Sequence, residues 1–225
     1  MSSLSEYPKD LIDVLLGKVW HATDHKNIPS ILSKGIVPDA PGRWKSSRSR
    51  SLGEVSVFDF RNVDFERLEN ITEMNNDWTG WLSGSNGGRR CVVWMRLHEC
   101  LYDRLISPKD VWDRHMEYLQ RGDLKKNPIA KVEGSHEGVI PPDRIAEAVL
   151  IYLCDVRAFQ RVSNLADLED AIAAFLPMCP KELADPDQIK EDVRQFVESQ
   201  KNEDPPEALV KVLAEARARI GRGRD

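Results

Sequence analysis

Between Val19 and Ile36 the chain reads VWHATDHKNIPSILSKGI, and this stretch limits the fold more than any other. Lys18 to Ala22 reads as a strand. Within a few residues the signals become helical. Asn27 is a favourable N-cap, Pro29 suits an early helical position, and Ile28, Ile31 and Leu32 form an apolar stripe. Gly35 supplies a C-terminal stop. A strand joined so directly to a capped helix points to a mixed architecture, and the rest of the chain supplies both kinds of element without regular alternation.

Residues 8 to 16 predict a short helix with Leu11, Val14 and Leu15 on one face. "EVSVFDF", "CVVWMRL", "IAKVEGSHEGVI" and "EAVLIYL" predict strands, and "DFERLENITEM" and "DVWDRHMEYLQ" predict helices. "PDAPGRWKSSRSRSLG" and "NNDWTGWLSGSNGGRR" read as loops, the second with two exposed tryptophans. The irregular order fits α+β better than a doubly wound sheet. After residue 163 the texture changes. "NLADLEDAIAAFL", "PDQIKEDVRQFVESQ" and "PPEALVKVLAEARARI" read as three helices before a basic "RGRD" end. The expected division is an α+β core over residues 1–162 and a C-terminal helical appendage over 163–225, whose helices offer a surface for a protein partner.

Composition narrows the class. Of 225 residues 41% are hydrophobic, and there are six Trp, enough for a real core. The formal net charge of −5 argues against a surface given over wholly to nucleic acid, though not against local basic patches. No apolar run approaches the ~20 residues of a membrane span, so no membrane partner is expected. The first residues carry acids before their apolar part and do not read as a signal peptide. Cys91, Cys100, Cys154 and Cys179 are far apart with no C-x-x-C, which suits reduced, mostly buried thiols and a cytoplasmic location.

Three groups of residues could carry chemistry. His21 and Thr23 are two apart, so on a strand they face the same way. An imidazole and a hydroxyl together suit ribose hydroxyls or a carboxamide; a lone histidine there reads first as a buried ring satisfied by backbone. Glu133, Ser135 and Glu137 alternate toward one face of a strand that closes with "VIPP". A carboxylate there could orient a hydroxyl or stabilise a developing cation, or simply face solvent. The loop "GRWKSSRSR" holds Arg43, Lys45, Arg48 and Arg50 with no acid among them, and interleaves Trp44. Guanidinium forks match phosphates and tryptophan stacks on bases; a solvated basic loop is the alternative.

The order of these signals resembles the ADP-ribosyltransferase fold, in the branch that contains DarT-type DNA ADP-ribosyltransferase toxins and the tRNA 2′-phosphotransferases. That branch shows an aromatic residue, His, any residue, Thr, an Asn four residues on, "L-P-S-I-L" and a Gly. Here those positions are Trp20, His21, Thr23, Asn27, residues 28–32 and Gly35. The family also places a Glu eight residues before an "I-P" or "V-P" proline, as Glu133 lies before Pro141. The resemblance covers roughly residues 18 to 153. It implies a split mixed sheet with flanking helices. It implies NAD as co-substrate without a metal, and mono-ADP-ribosylation of a macromolecule, DNA or RNA in preference to protein, as in a toxin or defence effector. His21 would hold a ribose hydroxyl, Ala22 and Thr23 the carboxamide, and Asn27 would brace the pocket. Arg48 or Arg50 would reach the phosphates or the acceptor, and Ser56 would lie on the strand of the family's second motif. Arg43, Trp44 and Lys45 would contact the acceptor. Glu133 would be the catalytic carboxylate, with Glu137 in reserve. The rival readings are a catalytically silent binding module of the same fold, and a nucleic-acid-processing enzyme built on the basic loop and on His98, His115 and His136.

Overall fold

The computed structural model describes residues 4–38, 49, 52–74, 77–83, 91–120, 131–153 and 158–179. Within them the α+β class holds. Seven strands, β1 (Val19–Asp24), β2 (Glu54–Asp59), β3 (Val92–Leu97), β4 (Leu105–Ile106), β5 (Glu133–Glu137), β6 (Ile145–Tyr152) and β7 (Ala158–Val162), form one sheet in the order β4-β5-β2-β1-β3-β6-β7. The helices are α1 (Lys9–Leu15), α2 (Ile28–Lys34), α3 (Phe65–Met74), α4 (Gly80–Ser83), α5 (Pro108–Gln120) and α6 (Leu168–Phe175).

The expected mixed sheet is corrected. Each neighbouring pair of strands runs antiparallel. The seven strands belong to one sheet, with a gap between its two central strands. β1 pairs with β2 only at Val19↔Asp59 and Trp20↔Phe58. From there β1 continues beside β3 to Asp24, and β2 continues beside β5 back to Glu54. The two central strands therefore part company at His21.

Both faces of the sheet are covered, which is why the central strands read as nearly continuous apolar runs rather than alternating ones. Val19, Val93, Met95, Ala148 and Leu150 face one layer, with Ile28 and Ile31 of α2 and Leu168, Ile172 and Phe175 of α6. Trp20, Trp94, Val149 and Ile151 face the other, with Leu11, Ile12 and Leu15 of α1 and Leu68 and Ile71 of α3. The helix "NLADLEDAIAAFL", placed by the sequence in the appendage, thus shares a core with the strands. The chain divides into two compact units, Met1–Glu182 and Leu183–Asp225; the second, with the other two expected helices, lies outside the described residues.

The loop expected to expose two tryptophans does otherwise. Asp77–Thr79 is a 3-10 turn leading into α4. Trp78 is fully buried, and its indole N–H donates to Thr72 Oγ1 at 3.1 Å. Trp81 is half-buried and packs on the same layer, where its carbonyl accepts from the Trp94 indole at 3.1 Å. The reason is aromatic packing. Phe58 and Trp94 stack at 4.7 Å and Phe60 meets Trp78 edge-on at 5.4 Å, contacts worth about 0.5–1.5 kcal/mol each beyond the area they bury. Two strands were not foreseen, the two-residue β4 and the edge strand β7. Among the described cysteines Cys91 and Cys179 are buried and Cys100 is exposed, and none of the three forms a disulfide. Burial pushes the Cys91 thiol up to about 12, so it stays protonated and inert.

Candidate active site at the gap between the central strands

The gap is held by side chains. His21 Nδ1 lies 2.9 Å from the carbonyl oxygen of Ser56. A carbonyl only accepts, so Nδ1 carries the proton and, in the neutral ring, Nε2 is left as an acceptor. Burial pulls the imidazole below its ordinary pKa, against the opposing pull of that carbonyl. Ser56 in turn donates its hydroxyl to Glu133 Oε1 at 2.9 Å. This bond follows from register. Ser56 sits opposite Ser135 and Glu133 sits opposite Phe58, so Ser56 and Glu133 are diagonal neighbours on one face. One residue of β2 therefore ties a histidine of β1 to a carboxylate of β5, strands that do not pair with each other.

On the far side of His21, Asn27 Nδ2 donates to Thr23 Oγ1 at 3.0 Å. The sequence cast Asn27 as an N-cap. It does stand at that position, but with helical backbone angles and no capping bond from its side chain. The bond to Thr23 explains why. The cap is made upstream instead, by Asp24 accepting from Lys26 N–H at 3.0 Å. Pro29 and Gly35 play their expected parts at the two ends of α2. Gly35 has φ +81°, and a Cβ there would lie 2.3 Å from the Ile140 carbonyl oxygen. That carbonyl accepts from Ile36 N–H at 2.8 Å, so the end of α2 is bonded to the chain just past β5. The segments 20–35 and 133–141 are thereby held together.

Glu137 shares the face of Glu133 but not its setting. Its side chain is 74% exposed and lies 3.9 Å from Arg114 Nη1 of α5, which also reaches buried Glu54 at 3.4 Å. The geometry links Glu133, not Glu137, to Ser56 and His21. Ser135, between the two glutamates, is fully buried, and its hydroxyl has no hydrogen-bond partner. Gly134 is required by close approach: a Cβ there would lie 2.9 Å from the Ile106 carbonyl of β4. The Arg114–Glu54 pair was missed, because nothing local signals a contact across sixty positions.

Arg43, Trp44, Lys45, Arg48 and Arg50 lie outside the described residues. The histidines of the rival nuclease reading lie at three different elements. His98 Nδ1 accepts from Cys100 N–H at 3.2 Å and caps a 3-10 helix, so "HEC" is a local turn. His115 is buried in α5 and His136 in β5. Among the described residues no group of three His, Cys, Asp or Glu could hold a metal ion, and no helix is long and apolar enough to cross a membrane.

What the arrangement can do chemically is limited and specific. It offers an imidazole acceptor, a carboxylate held at one oxygen by Ser56, and a hydroxyl and amide pair on β1 and at the start of α2. No protein-family model, characterised protein or solved structure matches this chain.

Proposed function

We propose that this chain transfers ADP-ribose from NAD to a macromolecular acceptor, with nucleic acid favoured over protein. The observation that supports this most is the path His21–Ser56–Glu133 across the gap between β1 and β2. NAD would supply a ribosyl carbon that gains positive charge as its bond to nicotinamide breaks. His21, its tautomer fixed by Ser56, would accept a hydrogen bond from a ribose hydroxyl at Nε2. Glu133 would place its carboxylate beside the developing charge, and Ser56 would keep that carboxylate in one rotamer. Such fixed charge acts mainly on the transition state, because it needs no reorganisation as the reaction proceeds. Thr23 and Asn27, with the backbone of Ala22, would orient the carboxamide end.

The test is incubation with labelled NAD and separate pools of DNA, RNA and protein, comparing wild type with Glu133→Gln. The wild type should label one pool, and the variant should lose about 10²–10³ in rate while still binding NAD. A silent binding module would instead bind NAD without labelling anything, and Glu133→Gln would then change nothing measurable. Activity that persists in Glu133→Gln but vanishes in Glu137→Gln would move the catalytic carboxylate one pleat along.

A further inference from the structure

A second charged centre lies around β6. Glu147 of β6 is buried, and three cations from neighbouring strands converge on it. Arg96 Nε of β3 is 2.7 Å from Oε1, and Lys18 Nζ, just before β1, is 3.7 Å from the same oxygen. Arg161 Nε of β7 is 2.5 Å from Oε2. One carboxylate cannot balance three cations, so two positive charges remain in a chain that is acidic as a whole. Among the described residues one further carboxylate pairs with this cluster: Glu99, 75% exposed and 3.9 Å from Arg96 Nη1, beyond hydrogen-bond reach.

The geometry leaves donors to spare. Both arginines meet Glu147 through Nε, which leaves the outer edge of each guanidinium for a second bidentate partner. The Arg161 side chain is half exposed, so its outer edge reaches solvent. The Arg96 contact is short but misaligned, and neither Arg96 Nε nor Glu147 Oε1 makes a hydrogen bond. A closed ion-pair network would satisfy these atoms. Lys18 also donates to the Val14 carbonyl at 2.9 Å and lies 5.7 Å above the Trp20 ring, so it is held in place without needing Glu147. Burial lowers its pKa, and the two arginines press in the same direction against Glu147. The β3–β6 register slips between Arg96 and Leu97, at the cluster itself. Bulges commonly re-aim a side chain in this way.

We propose that Lys18, Arg96 and Arg161 form a binding site for a phosphate-type oxyanion, with Glu147 as the fixed counter-charge that aims the two guanidinium forks. Lys18 precedes His21 by three residues, about 10 Å along an extended strand, and alternates to the face that His21 does not take. Two sources offer this chemistry, a nucleic-acid backbone and a free or small-molecule phosphate.

The full chain is titrated by calorimetry with inorganic phosphate and, separately, with a short single-stranded oligonucleotide at fixed ionic strength. The wild type should bind at least one of them. Arg161→Gln should weaken that binding by about tenfold or more, because it removes a charge-assisted fork. Arg161→Lys, which keeps the charge and loses the fork, should fall between. Lys18→Gln makes the same test from a different strand, and thermal melting of each variant verifies its fold. Binding of phosphate as tightly as of the oligonucleotide assigns the site to a small ligand. Binding of the oligonucleotide alone, with a salt dependence reduced by about one unit of slope in Arg161→Gln, assigns it to a polymer backbone. The proposal is overturned if the wild type binds neither, or if folded Arg161→Gln and Lys18→Gln bind as tightly as wild type.

Discussion

His21 shows how one side chain can be structural and chemical at once. Its Nδ1 takes up the Ser56 carbonyl that a continued β1–β2 ladder would have used, which lets the strands part while leaving no buried carbonyl unpaired. The same bond fixes the tautomer. Because burial depresses its pKa, the ring binds a proton less readily folded than unfolded. Its contribution is therefore intact above the ordinary histidine value near 6.5 and is lost as pH falls below that value toward the depressed one. His21→Gln keeps a donor for Ser56 and removes the titration. Denaturant unfolding at a series of pH values should show wild type losing stability relative to this variant as pH falls below about 6.5. Equal pH profiles would mean that His21 does not titrate in this way. The sequence singled out His21, Thr23 and Glu133 by type and spacing, and Ser56 through the resemblance. It did not show that Asn27 serves Thr23 rather than its own helix, because the two roles use the same amide.

At the scale of elements, α2 is short and depends on its ends. Its C-terminal glycine combines a left-handed backbone with a close approach to the Ile140 carbonyl. Gly35→Ala should destabilise the protein by about 2–4 kcal/mol, since left-handed strain and displacement of a bonded carbonyl act together. A midpoint shift in urea checks it, and a loss under about 1 kcal/mol would show that the turn relaxes easily. The periodicities of α1, α2, α3 and α5 were legible because each buries one stripe. β4 and β7 were not. Two residues carry no period, and β7 is half-exposed or exposed over "AFQR", so no apolar alternation marks it. Trp78 and Trp81 misled for a different reason. They sit among Asn, Asp, Gly and Ser, which read as loop, and their partners Thr72 and Trp94 come from outside that stretch.

For the molecule as a whole, the question is where the first compact unit ends. Leu168, Ile172 and Phe175 close one face of the sheet with β6 and β7. Phe175→Ala should therefore cost about 3–5 kcal/mol, as for a large core side chain, in a single cooperative transition. A cost under about 1 kcal/mol, or a separate early transition, would return α6 to an independent appendage.

The sequence by itself determined the α+β class, most element types, and the residue kinds at the gap, because helix and strand periods and cap chemistry are local. Only the tertiary structure decided that all neighbouring strands run antiparallel, that β1 and β2 separate at His21, and that Glu133 rather than Glu137 meets Ser56. Those outcomes depend on register between segments distant in the chain, Ser56 and Glu133 being 77 positions apart. A shift of one residue turns every side chain of a strand to the other face. The same holds for Lys18, Arg96, Glu147 and Arg161, four charges from four segments that no reading along the chain would bring to one point.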